Sequence, residues 1–125
     1  MASYVRIYIF VSIIVSLFFA KASWASEPII SDSEASQYVG KNVSVKGIIA
    51  NVYISQKGNI FLNFGRPYPN HTFAAVVFAA DSQKFKNPKI YEGQTVIIKG
   101  MVQVYKGRPE IILKSADQIK LLKQN

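Results

Sequence analysis

From Asn42 onward the chain alternates. KNVSVKG places Val43, Val45 and Gly47 on one side and Asn42, Ser44 and Lys46 on the other, the period of two of a half-buried strand. Beyond Gly47, in IIANVYIS, both sides turn apolar, and a glycine within a strand marks a bulge or a bend at a barrel corner. QKGN, Gln56 to Asn59, reads as a hairpin turn and NIFLNF as the returning strand. TFAAVVFAA predicts a third strand, QTVIIKGMVQVY a fourth and EIILK a fifth, with KGRP as the turn before the last. Between the third and fourth, DSQKFKNPKIYEG predicts a short helix with Asp81 as N-cap, ending before Pro88, followed by a loop. SADQIKLL closes the chain as an extension or strand edge.

Two of these strands echo each other. VSVKGII (Val43 to Ile49) matches VIIKGMV (Val96 to Val102), with Val43/Val96, Lys46/Lys99 and Gly47/Gly100 in step. The echo is too short for a solenoid repeat, and two long strands bent at the same offset fit a small closed barrel. Five strands in the order β-β-β-α-β-β predict an all-β class with one short helix, a five-stranded OB-fold Greek-key barrel.

What precedes the strands has a different character. Ile7 to Ala20 is an uncharged apolar run between Arg6 and Lys21, shorter than the roughly 20 residues of a membrane span. KASWAS then offers small residues at Ser23 and Ala25 for cleavage after Ala25. The expected organisation is a signal peptide over residues 1–25, a lead-in over 26–40 and the barrel domain over 41–125, with no stable membrane insertion after cleavage. The expected location is periplasmic or secreted. In the lead-in, Ser31 or Ser33 can cap a helical turn, Asp32 and Glu34 suit its N-terminus, and Gly40 stops it.

Composition narrows the chemistry. Of fifteen basic residues, Arg6 and Lys21 fall in the signal segment; the remaining thirteen against seven acidic give the exported part a net charge of +6. That balance favours anionic partners. The chain has no cysteine, so it folds without disulfides and offers no thiol chemistry, and with a single histidine, His71, no metal site or cofactor is expected. The carboxylates Glu27, Asp32, Glu34, Asp81, Glu92, Glu110 and Asp117 are scattered, with no spacing that pairs an acid with a base or two ligands with a metal. No catalytic activity is expected.

Four blocks carry a resemblance: VSVKGIIANV; FLNFGRPYPN followed by FAAVVF; YEGQTVIIKGMVQVYKGRPEI; and SADQI. From Val43 to Ile119 the chain resembles a family of small bacterial exported OB-fold domains that occur alone or beside nuclease-type domains. The resemblance implies the OB barrel and nucleic-acid binding. In its nuclease-associated members the catalytic residues lie in the neighbouring domain, so it implies binding here rather than cleavage.

An OB barrel grips single strands across its second and third strands and the flanking loops, with rings for stacking and cations for phosphates. The candidates are Tyr53 and Lys57 around the first hairpin, Phe61, Asn63, Arg66 and Tyr68 on the second strand and its corner, and Tyr105, Lys106 and Arg108 at the KGRP turn. His71 and Phe73 follow; His71 reads as an ordinary loop residue. Phe61 and Phe64 face opposite ways, so at least one is core. Arg66, Lys106 and Arg108 are weighted towards function, because a turn needs no cation. The expected activity is weak binding of single-stranded DNA or RNA without sequence preference, with a nuclease or another envelope protein as a further partner. The alternative is a periplasmic module for a protein, an oligosaccharide or a small ligand. There Tyr53, Tyr68 and Tyr105 form a pocket without a continuous basic track.

Overall fold

A computed structural model describes residues 27–123; the expected signal segment lies outside the described residues. Eight strands form one sheet: β1 Ile29–Ser31, β2 Asn42–Ile54, β3 Ile60–Phe64, β4 Phe73–Val77, β5 Thr95–Met101, β6 Gln103–Tyr105, β7 Arg108–Ile112 and β8 Ile119–Leu121. The path of hydrogen-bonded neighbours is β6-β7-β4-β3-β2-β5-β8, with β1 beside β2. All pairs are antiparallel except β1 with β2 and β4 with β7.

The core strands occur in the expected order, with differences that have local causes. The fourth expected strand is broken into β5 and β6 at Val102, whose amide donates to the Lys41 carbonyl and whose carbonyl accepts from the Gly40 amide. With its backbone groups taken by the lead-in and its side chain buried, Val102 leaves the ladder. The hydrogen-bonded path is therefore open rather than closed, running from β6 to β8, and Val102 links its end strand β6 to β5, the neighbour of the other end. The third strand stops at Val77, because Phe78 is exposed and caps a 3₁₀ turn over Ala79–Lys84. Asp81 lies inside that turn, where it pairs with Lys84 at 2.8 Å, instead of capping an α-helix. A second 3₁₀ turn, Pro88–Tyr91, follows, so the expected single helix is two short 3₁₀ segments.

The echo has a structural meaning. β2 and β5 pair with each other antiparallel, with Val43 opposite Gly100, Val45 opposite Ile98 and Gly47 opposite Val96. Each copy's glycine faces the other copy's first valine, which gives the pair an approximate twofold about Val45 and Ile98. The bury-and-expose alternation holds through β5 and along β2 as far as Ile49, where a bulge before Asn51 shifts it so that Val52 is buried next; Val43, Val45, Val96 and Ile98 are fully buried.

The lead-in packs into the barrel. β1 adds to β2, and Ile30 and Ala35 join the core. Ser31 donates through both its amide and its hydroxyl to the Glu34 carboxylate, at 3.2 and 2.8 Å, and these bonds hold that carboxyl below the usual range. Asp32 leaves its own turn to accept from the Thr72 hydroxyl, which also donates to the Phe64 carbonyl at 3.1 Å. Phe64 and Phe73, opposite each other on β3 and β4, meet edge to face with centroids 5.1 Å apart.

Candidate nucleic-acid interface

The segment joining Phe64 to Phe73 is held at its base. The Phe64 carbonyl accepts from the amides of Arg66 and Thr72, at 2.9 and 3.0 Å, and the Gly65 amide donates to Ile48 at 3.1 Å. Gly65 adopts φ +77, and a Cβ there would lie 2.9 Å from the Thr72 hydroxyl, so only glycine fits this corner. The corner carries Tyr68 and His71 over the sheet, their rings stacked at 5.7 Å with 24° between planes. The Tyr68–Pro69 peptide is cis.

Under the corner lies an open groove of about 650 Å³, on the outer face of β2, β3, β4 and β7. Seven of the nine candidates line it: Tyr53, Phe61, Asn63, Tyr68, Tyr105, Lys106 and Arg108. The strand period explains the convergence. On β3, Phe61 and Asn63 face out while Ile60, Leu62 and Phe64 go to the core, and register sets Tyr53 opposite Phe61. Tyr53 and Phe61 stack at 6.1 Å with 30° between planes, and Tyr53 remains 55% exposed.

The remaining two candidates stand apart from the lining. Lys57 sits in the turn beyond the end of β2, and Arg66 is exposed at the outer side of the corner. Phe73 is wholly core. Arg108 does line the groove, and its guanidinium also donates to the His71 backbone carbonyl, tying β7 to the corner. Its role is thus partly to hold Tyr68 and His71 in place.

Sequence reasoning passed over Asn51, Glu110 and the buried state of His71. Asn51 was hidden because the bulge between Ile49 and Asn51 reverses the face that the alternation from Val43 assigns to it, and Glu110 because its position depends on the register of β4 with β7, distant in sequence. His71 is only 7% exposed, and its Nδ1 has no hydrogen-bond partner. Burial, with the Arg108 charge adding to it, lowers the imidazole below its ordinary 6.5 and keeps it neutral. The unfolded chain takes up the proton first as pH falls, so the stability present above pH 6.5 is lost progressively as pH drops through the folded value. Melting temperature should therefore decline from pH 6.5 toward 5, and His71→Gln should flatten that decline. The Glu34 carboxyl does not confuse the measurement, since its lowered value acts only below its ordinary 4.5.

The β6–β7 turn contains an unusual cation. Lys106 and Gly107 adopt φ +50 and +77, the two left-handed positions of a type I′ hairpin, where Asn-Gly is the preferred pair. A lysine there costs roughly 1 kcal/mol of backbone strain. Its ammonium lies 5.4 Å from the Tyr105 ring centroid, a partial offset at an exposed site. Lys106→Asn is expected to leave thermal stability unchanged or raise it, while weakening binding of an anionic ligand. A fall in both would mark Lys106 as structural.

No protein-family model matches the chain. A curated protein of the archaeon Methanocaldococcus jannaschii, described as uncharacterised, is 33% identical over 96 residues, taking in 69% of this chain. The chain spans 47% of that relative's length, about half. Among solved structures, OBody AM1L10, bound to hen egg-white lysozyme, has a TM-score of 0.58 at 19% identity, covering 82% of this chain and 100% of its own. Asparaginyl-tRNA synthetase from Entamoeba histolytica has a TM-score of 0.54 at 18% identity, covering 81% of this chain and 24% of the enzyme. Asparaginyl-tRNA synthetase from Pyrococcus horikoshii has a TM-score of 0.50 at 18% identity, covering 75% and 23%. These likenesses show the fold, an OB-like β barrel.

Proposed function

We propose that the groove is a binding site for a short stretch of single-stranded nucleic acid, in a non-catalytic module. The observation that carries this reading is the convergence of three aromatic platforms, Tyr53 on Phe61, Tyr68 on His71, and Tyr105, with Lys106 and Arg108 around one groove. Rings with exposed faces stack on any base, and cations beside them meet the phosphates. The resemblance of the four sequence blocks and the barrel's likeness to parts of tRNA synthetases support it. The apolar run Ile7 to Ala20 with KASWAS supports an exported location.

The cations stand on one side of the groove only, so few phosphates are engaged. With two of them neutralised, the logarithm of the binding constant should fall against the logarithm of salt with a slope of about −1.4. Fluorescence titration with a labelled single-stranded 12-mer at several salt concentrations measures this. No binding at tens of micromolar, or affinity independent of salt, would remove the proposal.

One observation favours a second reading. Three tyrosines share the groove with two asparagines and a glutamate and without a continuous basic track, which also suits an oligosaccharide or a protein segment. Binding that is salt-independent and specific to a neutral glycan would select that reading.

A further inference from the structure

One row of the groove has no part in stacking or phosphate binding. Register sets Asn51 opposite Asn63, Asn63 opposite Ala74, Ala74 opposite Glu110 and Glu110 opposite Gln103. The first four of these line the groove, beside the row that carries Tyr53 and Phe61. Adjacent strands lie about 4.8 Å apart, so Asn63 and Glu110, two strands apart, are separated by roughly 10 Å, a gap that one nucleobase can bridge. Between them stands only the methyl group of Ala74.

The hydrogen bonding of this row leaves a defined set of groups. Asn63 Nδ2 donates to Asn51 Oδ1 at 3.1 Å, leaving the Asn51 amide nitrogen as a donor beside the Asn63 amide oxygen as an acceptor. Glu110 Oε1 accepts from Gln103 Nε2 at 2.9 Å, which orients the carboxylate and leaves Oε2 as a second acceptor. Asn63 is only 3% exposed, which holds its side chain in place along the row. A carboxylate in a phosphate track would repel its ligand. Glu110 therefore faces something other than phosphate.

We infer that the row Asn51–Asn63–Glu110 reads the edge of a stacked base, and selects bases that carry an exocyclic amino group beside a ring acceptor. Cytosine, through N4 and N3, and adenine, through N6 and a ring nitrogen, present this donor–acceptor pair. The amino group gives hydrogen bonds to Asn63 Oδ1 or Glu110, and the ring nitrogen accepts from Asn51. Thymine and uracil present the reverse pattern, an N–H flanked by carbonyl oxygens, which sets their oxygens against the Glu110 carboxylate. The inference rests on the nucleic-acid reading of the groove and departs from an expectation of binding without sequence preference.

The test is a titration of the protein with 12-mers of cytosine, adenine and thymine or uracil, in deoxyribo and ribo forms, at one salt concentration. Cytosine and adenine oligomers should bind about tenfold more tightly than thymine or uracil oligomers. Glu110→Gln, whose amide can donate to a carbonyl oxygen, should narrow the gap chiefly by improving thymine or uracil binding. Asn51→Ala should narrow it by weakening cytosine and adenine. Equal affinities for all bases would overturn the base-edge assignment and leave the groove's nucleic-acid role standing. A preference that persists unchanged in both variants would overturn the assignment to this row. Failure of every oligomer to bind would overturn both.

Discussion

The double variant Tyr53→Ala/Tyr68→Ala should bind a single-stranded 12-mer about 100-fold more weakly than the parent and melt within a few degrees of it. Each tyrosine heads a separate platform, one on β2 and the other on the corner after β3, so each removal takes away stacking on a different base. Stacking is worth about 1–3 kcal/mol per base, and two independent losses of about 1.4 kcal/mol each amount to this factor. Folding should be little affected, because Tyr53 and Tyr68 are 55% and 72% exposed. The partners Phe61 and His71 remain, so the groove keeps its shape. Calorimetric melting and fluorescence titration of the same samples separate the two effects. Retained affinity in the folded double variant would show that ligand does not stack on these rings, and a large loss of stability would show that the tyrosines hold the corner.

How far the site was legible depends on how local each determinant is. The hairpin QKGN is a short-range signal that sets Tyr53 opposite Phe61, but the alternation of VSVKG, carried on, would put Tyr53 on the core face with Val43, Val45 and Ile49; the bulge between Ile49 and Asn51 turns it outward. Tyr105 and Lys106 were likewise readable from the KGRP turn, although the turn chemistry there favours asparagine and makes the lysine more telling than composition alone. Arg66 looked equivalent to Arg108, since both are cations in Gly/Pro-containing turns. Only the tertiary fold separates them: β7 runs parallel to β4 and brings Arg108 under the corner, whereas Arg66 follows Gly65 at its outer side. Glu110 enters the groove through the register of β4 with β7, strands tens of residues apart, and Asn51 through the bulge after Ile49, neither of which the alternation encodes. The break at Val102 was hidden for a similar reason, because the lead-in that takes its hydrogen bonds lies about sixty residues upstream.

The largest effect on stability is expected at Gly47, a position remote from the groove surface. A Cβ there would lie 2.7 Å from Asp32 Oδ1 and 2.8 Å from the Phe64 ring, distances at which something must move. Neither neighbour is free to give way. Asp32 is hydrogen-bonded to Thr72, and Phe64 is fully buried against Phe73. Gly47→Val therefore overpacks the junction of the lead-in, β2 and β3, and should cost about 3 kcal/mol although valine is a good strand former. For a domain of this size that corresponds to a fall in melting temperature of roughly 12–24 °C. Ser44→Val, on the outer face of the same strand, should stay within about 0.5 kcal/mol of the parent. The displaced Phe64 also carries the carbonyl that receives both Arg66 and Thr72, so the corner bearing Tyr68 should loosen with it. At a temperature where Gly47→Val remains folded, its affinity for a single-stranded 12-mer should therefore fall although no residue of the groove has changed. A variant that is destabilised but binds with parental affinity would show instead that the corner is held independently of the core beneath it.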